Sequence, residues 1–163
     1  MICAFTGHRP EHLPWGSDER DPRCAALKTL LRQRLRELFQ EGYGTFLCGM
    51  ARGCDLYFAE AVLTLRDTGE LEGAKFTAML PCQSQADRWS TQDRTRYRAL
   101  LARCDEVKLL EAAYTSGCML RRNRAMVDAA DALLTVFDGS EGGTAATIRY
   151  AKRCGVEIVP LWL

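Results

Sequence analysis

The sequence predicts an α/β fold, a Rossmann-like three-layer sandwich with a mostly parallel sheet of about six strands. Short apolar runs alternate with helical segments of roughly ten or more residues, which is typical of parallel strands joined by crossover helices. Most of these runs end in glycine, proline or polar residues, where a buried strand would turn into a helix. The chain has 163 residues and 47% hydrophobic content, enough to bury one sizeable core. We therefore treat residues 1–163 as one domain.

Each strand in the first half of the chain follows from a local pattern. Ile2–Phe5 is an apolar run that ends in a turn-like string, and Thr45–Cys48 lies between glycines. Asp21 before Pro22 predicts a helix start, because an aspartate cap followed by proline at the first helical position is a common beginning. A second helix is expected from Cys54 to about Leu65.

The second half of the chain repeats the alternation of strand and helix. The predicted strands are Phe76–Leu80, Glu106–Leu110, Leu133–Phe137 and Val156–Leu161. The predicted helices run from Gln85 to Ala102, from about Ser116 to Ala130, and onward from Gly142-Gly143-Thr144. Ligands bind such sheets outside the carboxyl ends of the strands, near the point where strand order reverses, so the segments after the strands are the candidates for function.

Composition narrows the function classes. The chain has 22 basic and 21 acidic side chains, a formal charge of +1, so no global attraction to nucleic acid or anionic membrane is expected. No apolar run approaches the ~20 residues that span a bilayer, and the first ten residues lack a signal-peptide pattern. These features predict a soluble, cytoplasmic protein without a membrane partner.

The eight cysteines are irregularly spaced and contain no C-x-x-C pair. Most lie in apolar segments, where a free cysteine behaves as a small hydrophobic residue. Only two histidines are present, and neither is near a pair of cysteines. We expect buried thiols, with neither a disulfide framework nor a metal site.

Gly142-Gly143-Thr144 directly precedes a predicted helix. Glycines there would let a ligand approach the backbone, and the free N–H groups of the first helical turn form an anion site to which Thr144 can add a hydroxyl. A tight turn with a threonine cap explains the same string equally well.

Gly49-Met50-Ala51-Arg52-Gly53 is a second glycine-rich junction between a strand and a helix. Neither junction matches the G-x-G-x-x-G fingerprint or the phosphate loop G-x-x-x-x-G-K-[ST], which disfavours ordinary dehydrogenase and P-loop assignments. Asp55 follows the second junction and is either a ligand-binding group or a helix cap.

Charged and polar residues mark two further segments. His8 and Arg9 follow the first strand, beside Thr6 and Gly7. The helix after residue 116 carries the densest basic patch, residues 121–124. Arg122 could bind a phosphate through its planar fork, with a solvated helix face as the alternative for any one of these arginines.

These segments together match the pattern of a known family. The strings that carry the resemblance are Thr6-Gly7-His8-Arg9-Pro10, Gly49-Met50-Ala51-Arg52-Gly53-Cys54-Asp55, Leu80-Pro81-Cys82 with Gln85 and Trp89, Arg122-Asn123-Arg124-Ala125-Met126-Val127-Asp128, and Asp138-Gly139 with Gly142-Gly143-Thr144. In this order and over nearly the whole chain, the sequence resembles the YpsA-like family of the SLOG superfamily. The resemblance implies a Rossmann-like fold related to the DNA-processing protein DprA and to the LOG phosphoribohydrolases.

The LOG enzymes allow a comparison residue by residue. Arg122, Met126 and Asp131 fall where the LOG pattern has its arginine, methionine and an aspartate, and Gly143-Thr144 resembles the end of its P-G-G-x-G-T motif. LOG enzymes place acidic residues, among them a catalytic glutamate, just after that threonine, where this chain has Ala145-Ala146-Thr147. The resemblance therefore implies a phosphate cradle without that glutamate, unless Asp55, Glu60 or Asp138 supplies a carboxylate from another loop.

Three functions remain open from the sequence. The first is a sensor or regulatory domain that binds a nucleotide or an NAD- or ADP-ribose-like ligand; no other cofactor is expected. The others are cleavage of an N-glycosidic or phosphoester bond, with Asp55 or Asp138 as the candidate catalytic carboxylate, and single-stranded DNA binding as the DprA relationship suggests. Analogy with LOG proteins allows a homodimer. The expected ligand residues are Thr6, Gly7, His8, Arg9, Gly49, Arg52, Gly53, Arg122, Asn123, Gly142, Gly143 and Thr144.

Overall fold

The computed structural model describes residues 1–163 and contains one six-stranded parallel sheet. The strands are β1 (Ile2–Gly7), β2 (Thr45–Cys48), β3 (Lys75–Cys82), β4 (Glu106–Glu111), β5 (Ala132–Phe137) and β6 (Glu157–Trp162). The helices are α1 (Pro22–Gln40), α2 (Cys54–Asp67), α3 (Thr91–Leu101), α4 (Cys118–Asp128) and α5 (Gly143–Arg153), with a 3-10 turn at Pro10–His12. The predicted α/β, Rossmann-like fold is confirmed, and the sheet is parallel throughout.

The helices cover both faces of the sheet. α1, α2 and α3 pack on one face, and α4 and α5 pack on the other. The larger core lies under the first group, where Phe5 stacks on Phe58 with ring centroids 4.4 Å apart and Phe46 and Phe76 surround the pair. The smaller core lies under α4 and α5 and includes Met126 and Val127. Both cores are close-packed apolar layers beneath the strand ends.

Strand order places a crevice above β1 and β5. The order is β4-β3-β2-β1-β5-β6, so the chain builds outward from β1 in one direction and then returns to its other side. Gly7 pairs with Val136, and both strands therefore end at the same level, next to His8 and Asp138. Such a reversal point is where open parallel sheets bind their ligands.

One predicted helix is shorter than expected. Helical spacing from Gln85 onward predicted a helix over 85–102, but α3 begins only at Thr91. Ser90 caps it by accepting a hydrogen bond from the Asp93 N–H at 3.1 Å. Gln85 lies in the turns before that cap, and its side chain donates to the carbonyl oxygen of Gly49 at 3.1 Å. A serine cap and a tertiary contact thus override the helical pattern.

The eight cysteines are free thiols. Six are buried, Cys104 is half-buried and Cys154 is exposed. Burial raises the pKa of Cys3 to about 12 and that of Cys104 to about 11, which keeps both thiols protonated at neutral pH. None of the helices is both long enough and apolar enough to span a bilayer.

Candidate functional site

A cavity of about 490 Å³ opens at the carboxyl ends of β1 and β5. Segments that are more than a hundred residues apart in the chain meet around it. Of the twelve expected ligand residues, nine line this cavity: Thr6, Gly7, His8, Arg9, Arg122, Asn123, Gly142, Gly143 and Thr144. The size is within the range of small-molecule sites in proteins.

The first turn of α5 presents unpaired donors at this cavity. The helix makes its first backbone bond from Ala146 N–H to the Gly142 carbonyl, and no side chain caps it. The N–H groups of Gly143, Thr144 and Ala145 therefore have no acceptor within the chain. Gly142 has φ 148° and ψ −162°, a conformation adopted almost only by glycine. A Cβ at Gly142 or Gly143 would meet nothing within 4 Å, so the space beside these donors is open.

Arg122 is buried to 2% exposure at the inner end of the cavity. Its Nη1 donates to the carbonyl oxygens of Gly49 and, at 3.2 Å, Met79, and its Nε donates to Asn123 Oδ1 at 2.7 Å. Burial lowers the pKa of this guanidinium, which nevertheless stays charged at neutral pH. Nη2 has no partner, and since every fully buried side-chain nitrogen or oxygen has one, Nη2 is accessible from the cavity. Arg122 thus ties α4 to β2 and β3 and keeps one donor free.

Asn123 connects Arg122 to the first turn of α5. Its amide Nδ2 donates to Thr147 Oγ1 at 3.0 Å, and that hydroxyl donates to the Gly143 carbonyl at 2.8 Å. Arg122, Asn123, Thr147 and Gly143 therefore form a continuous chain of hydrogen bonds. This chain fixes the position of the buried guanidinium relative to the free N–H groups of α5.

Asp55 lies in the first turn of α2 and is buried to 6% exposure. Its Oδ2 accepts the Ala51 N–H at 2.9 Å, and its Oδ1 has no partner and is accessible from the cavity. Burial raises the pKa of this carboxyl, although the positive charges of Arg122 and Arg9 oppose the shift. No ion pair joins Asp55 to either arginine, so a gap separates the opposite charges.

His8 and Asp138 meet where β1 and β5 end. His8 is buried to 6% exposure, and its Nε2 lies 2.8 Å from Asp138 Oδ1. The hydrogen bonds from Ser140 and from His8 hold the pKa of Asp138 well below its ordinary range. An ionised carboxylate can only accept, so we assign the proton to Nε2. The other ring nitrogen, Nδ1, has no partner and remains accessible on a residue that lines the cavity.

Almost the whole chain matches the model of one protein family. The model of the YpsA family, described as the YspA SLOG family, matches residues 3–154. The chain belongs to this family.

Two bacterial proteins of similar sequence carry the name UPF0398. A UPF0398 protein from Lysinibacillus sphaericus is 28% identical over 154 residues, which cover 91% of this chain and 81% of that protein. The UPF0398 protein YpsA from Bacillus subtilis is 27% identical over 146 residues, which cover 88% of this chain and 79% of that protein.

Two solved structures share the fold of this YpsA family member. DNA processing protein A from Helicobacter pylori has a TM-score of 0.64 at 15% identity, with 98% of this chain and 64% of that chain covered. Its structure is described as showing a single-stranded DNA binding mode. DprA from Streptococcus pneumoniae has a TM-score of 0.62 at 14% identity, with coverages of 98% and 49%. This YpsA family member therefore spans about half to two thirds of those longer chains.

Three of the expected ligand residues lie outside the cavity. A Cβ at Gly49 would overlap the guanidinium of Arg122, and one at Gly53, where φ is +84°, would come within 2.7 Å of the His8 carbonyl oxygen. These glycines serve close packing within the protein. Arg52 pairs with Glu11 at 2.6 Å on the surface. Gly49, Arg52 and Gly53 therefore lie outside the cavity that the other nine expected ligand residues line.

Two carboxylates considered from the LOG comparison also lie elsewhere. Glu60 forms an ion pair with Arg96 at 2.6 Å, and Asp131 accepts the Ile2 N–H at 2.7 Å. Neither lines the cavity. Ala145, Ala146 and Thr147 stand where the LOG pattern has acidic residues after the threonine. Thr147 is the only one of the three with a polar side chain, and its hydroxyl is already bonded within the chain.

Several lining residues were not expected as ligand contacts from the sequence. Met119, Leu120 and Met126 form an apolar wall, and His12 and Glu141 lie at the cavity as well. The methionines have helical spacing and look like ordinary core residues in the sequence. His12 follows the recognised Thr6–Pro10 string by two residues, which was the one signal that could have indicated it.

Proposed function

We propose that this chain binds a nucleotide or nucleotide-derived ligand and acts as a sensor or regulatory domain. One observation carries the proposal: the three unpaired N–H groups of α5 and the free Nη2 of Arg122 border the same open cavity. Such donors gain most by meeting an anion with several acceptor oxygens.

The charges around the cavity support a phosphate at the α5 end. The helix N-terminus carries a partial positive charge worth about 0.3–1 kcal/mol to an anion at an exposed site. Arg9 is exposed at the cavity and has no acidic partner, so its charge is free for a ligand. Glu141 also lies there, but Arg149 neutralises it at 3.0 Å.

The apolar wall supports an organic group next to the phosphate. Met119 and Met126 are flexible, polarisable side chains that adapt to flat or irregular groups, and Leu120 extends the wall toward solvent. A phosphate end joined to an apolar wall is the pattern expected of a nucleotide site.

The test is ligand binding by the parent and by Gly143→Asp. Calorimetry and thermal unfolding are measured with 5′-AMP, ADP-ribose, NAD and inorganic phosphate. A ligand at one hundred times its dissociation constant stabilises by about 2.7 kcal/mol, which raises the melting temperature by roughly 5 to 10 °C. Gly143→Asp places a carboxylate beside the α5 donors and should abolish the shift. It should not unfold the protein, since residue 143 is helical and an aspartate in the first turn favours the helix.

Arg52→Ala is the matched control, because Arg52 is a nearby charge outside the cavity. It should bind like the parent. Binding that persists in folded Gly143→Asp would remove the α5 terminus from the proposed site, and a parent that binds none of the compounds would refute the function.

The pair of His8 and Asp138 favours a second candidate function, the cleavage of an N-glycosidic or phosphoester bond. Asp138 fixes the ring of His8, and the accessible Nδ1 can accept a proton from water that attacks a bound ligand. Incubation with 5′-AMP should then release adenine or adenosine, and His8→Gln should stop the release without stopping binding. If neither adenine nor adenosine appears over a long incubation, this second candidate fails and binding remains the function.

Single-stranded DNA binding is the third candidate, and the fold shared with the two DNA-processing proteins is what favours it. The formal charge of +1 argues for weak binding, since affinity for DNA grows with the number of phosphates neutralised. Calorimetry with a single-stranded oligonucleotide distinguishes this candidate from the first. Tight, salt-sensitive binding that 5′-AMP does not compete away would favour DNA binding.

A further inference from the structure

Two polar side-chain atoms on residues that line the cavity lack a partner within the protein. They are Oδ1 of Asp55 and Nη2 of Arg122, on residues that are 6% and 2% exposed. Every fully buried side-chain nitrogen or oxygen has a partner, so these two atoms are accessible and free to bind a ligand. One atom accepts and the other donates, and both belong to residues lining the cavity.

Asp55 and the α5 terminus lie on opposite sides of β1. β2 precedes Asp55 and β5 precedes α5, and these strands are two positions apart in the sheet, a separation of roughly 10 Å. The cavity therefore has an end suited to an anion and another end that carries a carboxylate.

This polarity restricts the ligand. A second phosphate beside Asp55 would bring two negative charges together at a side chain that is only 6% exposed, where repulsion is stronger than in bulk water. A hydroxyl or an amine there would instead donate to Oδ1. The ligand that suits both ends is short, with a single anionic group and a neutral donor.

We propose that Asp55 selects phosphate monoesters that carry a neutral hydrogen-bond donor, of the nucleoside monophosphate type, over oligophosphates and free phosphate. This rests on the proposed function and specifies the ligand class for the same site. The donor is a ribose hydroxyl or an exocyclic amine of the base. Arg122 Nη2 supplies the complementary donor to an oxygen of the same ligand.

Asp55 also has a structural contact, and the test must separate the two roles. Asp55→Asn can keep the contact, because the amide oxygen of asparagine can accept the Ala51 N–H as Oδ2 does now. The amide nitrogen then replaces Oδ1 and donates where the carboxylate accepted. The variant thus reverses the hydrogen-bonding character at the ligand side and leaves the loop in place.

The experiment is calorimetry on the full chain with 5′-AMP, 2′-deoxy-5′-AMP, 5′-IMP and pyrophosphate. The parent should bind 5′-AMP more tightly than pyrophosphate. Asp55→Asn should weaken 5′-AMP by about ten- to a hundredfold, as expected for one hydrogen bond to a charged group, and should bind pyrophosphate at least as well as the parent. Glu60→Gln is the matched control on the same helix, outside the cavity, and should change neither affinity.

The other ligands identify the donor. If the parent binds 2′-deoxy-5′-AMP more weakly than 5′-AMP, and Asp55→Asn binds the two equally, the donor is the ribose hydroxyl. If 5′-IMP, which lacks the exocyclic amine, shows this pattern instead, the donor is the amine of the base. If folded Asp55→Asn binds 5′-AMP as tightly as the parent, this inference is wrong while the proposed function stands. If Gly143→Asp also leaves binding intact, or the parent binds nothing, the proposed function itself fails.

Discussion

Two glycine-rich junctions in this molecule look alike in sequence and differ in structure. Gly49–Gly53 joins β2 to α2, and Gly142–Thr144 joins β5 to α5. In the first, a Cβ on either glycine would strike other parts of the protein, and in the second it would enter open space. The first junction uses glycine to let protein groups approach one another, and the second leaves room beside unpaired donors.

The difference shows how a glycine needed for packing can be told from a glycine that borders open space. Both follow a buried strand, and both begin a helix with a residue of positive φ. Only the neighbours of the missing side chain distinguish them. Substitutions at both junctions and at the residues beside them test this distinction.

Gly49→Ala should have the largest effect on stability. Its Cβ would displace the Arg122 guanidinium and break bonds to two main-chain carbonyls. We expect a loss of roughly 3 kcal/mol in the free energy of unfolding, measured by urea titration. A loss below about 1 kcal/mol would show that Arg122 can move at little cost and would weaken the contrast between the junctions.

Gly142→Ala and Gly143→Ala should show which glycine of the second junction is required by its backbone conformation, since both have room for a side chain. Gly142 has a backbone conformation that alanine rarely adopts, so its replacement should cost about 1–3 kcal/mol. Gly143 is helical and uncrowded, so Gly143→Ala should change stability by no more than about 1 kcal/mol, in the stabilising direction. Thermal unfolding of the two variants side by side gives the comparison, and equal losses would contradict it.

Asp55→Asn should stabilise the protein at neutral pH. Because burial raises the pKa of Asp55, the folded state holds this proton more tightly than the unfolded chain does. The carboxyl therefore costs stability as the pH rises from its ordinary pKa of 3.8 through the raised value, and asparagine avoids that cost. The melting temperature of the variant should exceed that of the parent at pH 7, with the difference shrinking toward pH 4. A variant less stable than the parent at pH 7 would indicate that Asp55 is mainly a structural residue.

Arg52→Ala should have the smallest effect. Its ion pair with Glu11 joins two partly exposed side chains at the surface, and such pairs contribute about 0–1 kcal/mol. Urea unfolding should shift by less than 1 kcal/mol, and raising the salt concentration should reduce the difference further. A larger effect would mean that the first junction depends on this arginine as well as on its glycines.

The strands and the α5 junction could be predicted because their signals are local. A short apolar run ending in glycine identifies β2 or β5 without knowledge of its neighbours. The role of Arg122 could not be predicted in this way, because its partners Gly49 and Met79 are 73 and 43 positions away in the chain. From the sequence Arg122 looks like a simple phosphate contact on a basic helix, and the structure shows a buried connector with one donor left over.

The contact of His8 with Asp138 spans 130 positions and is likewise invisible in the sequence. Each residue was singled out alone, because each follows a strand. That they touch depends on β1 and β5 being neighbours, which is a property of the strand order and of no local pattern. Long-range polar pairs at strand ends are thus the part of the candidate site that needed the fold.

The overlap that forbids a side chain at Gly49 has an evolutionary consequence. As long as Arg122 keeps its place, position 49 has no acceptable alternative to glycine, although the two are far apart in the chain. Related proteins that have replaced the arginine with a smaller residue should be free to carry alanine or serine at 49, and a lineage should acquire the large side chain only after the glycine is in place. Positions 49 and 122 should therefore be inherited as a pair.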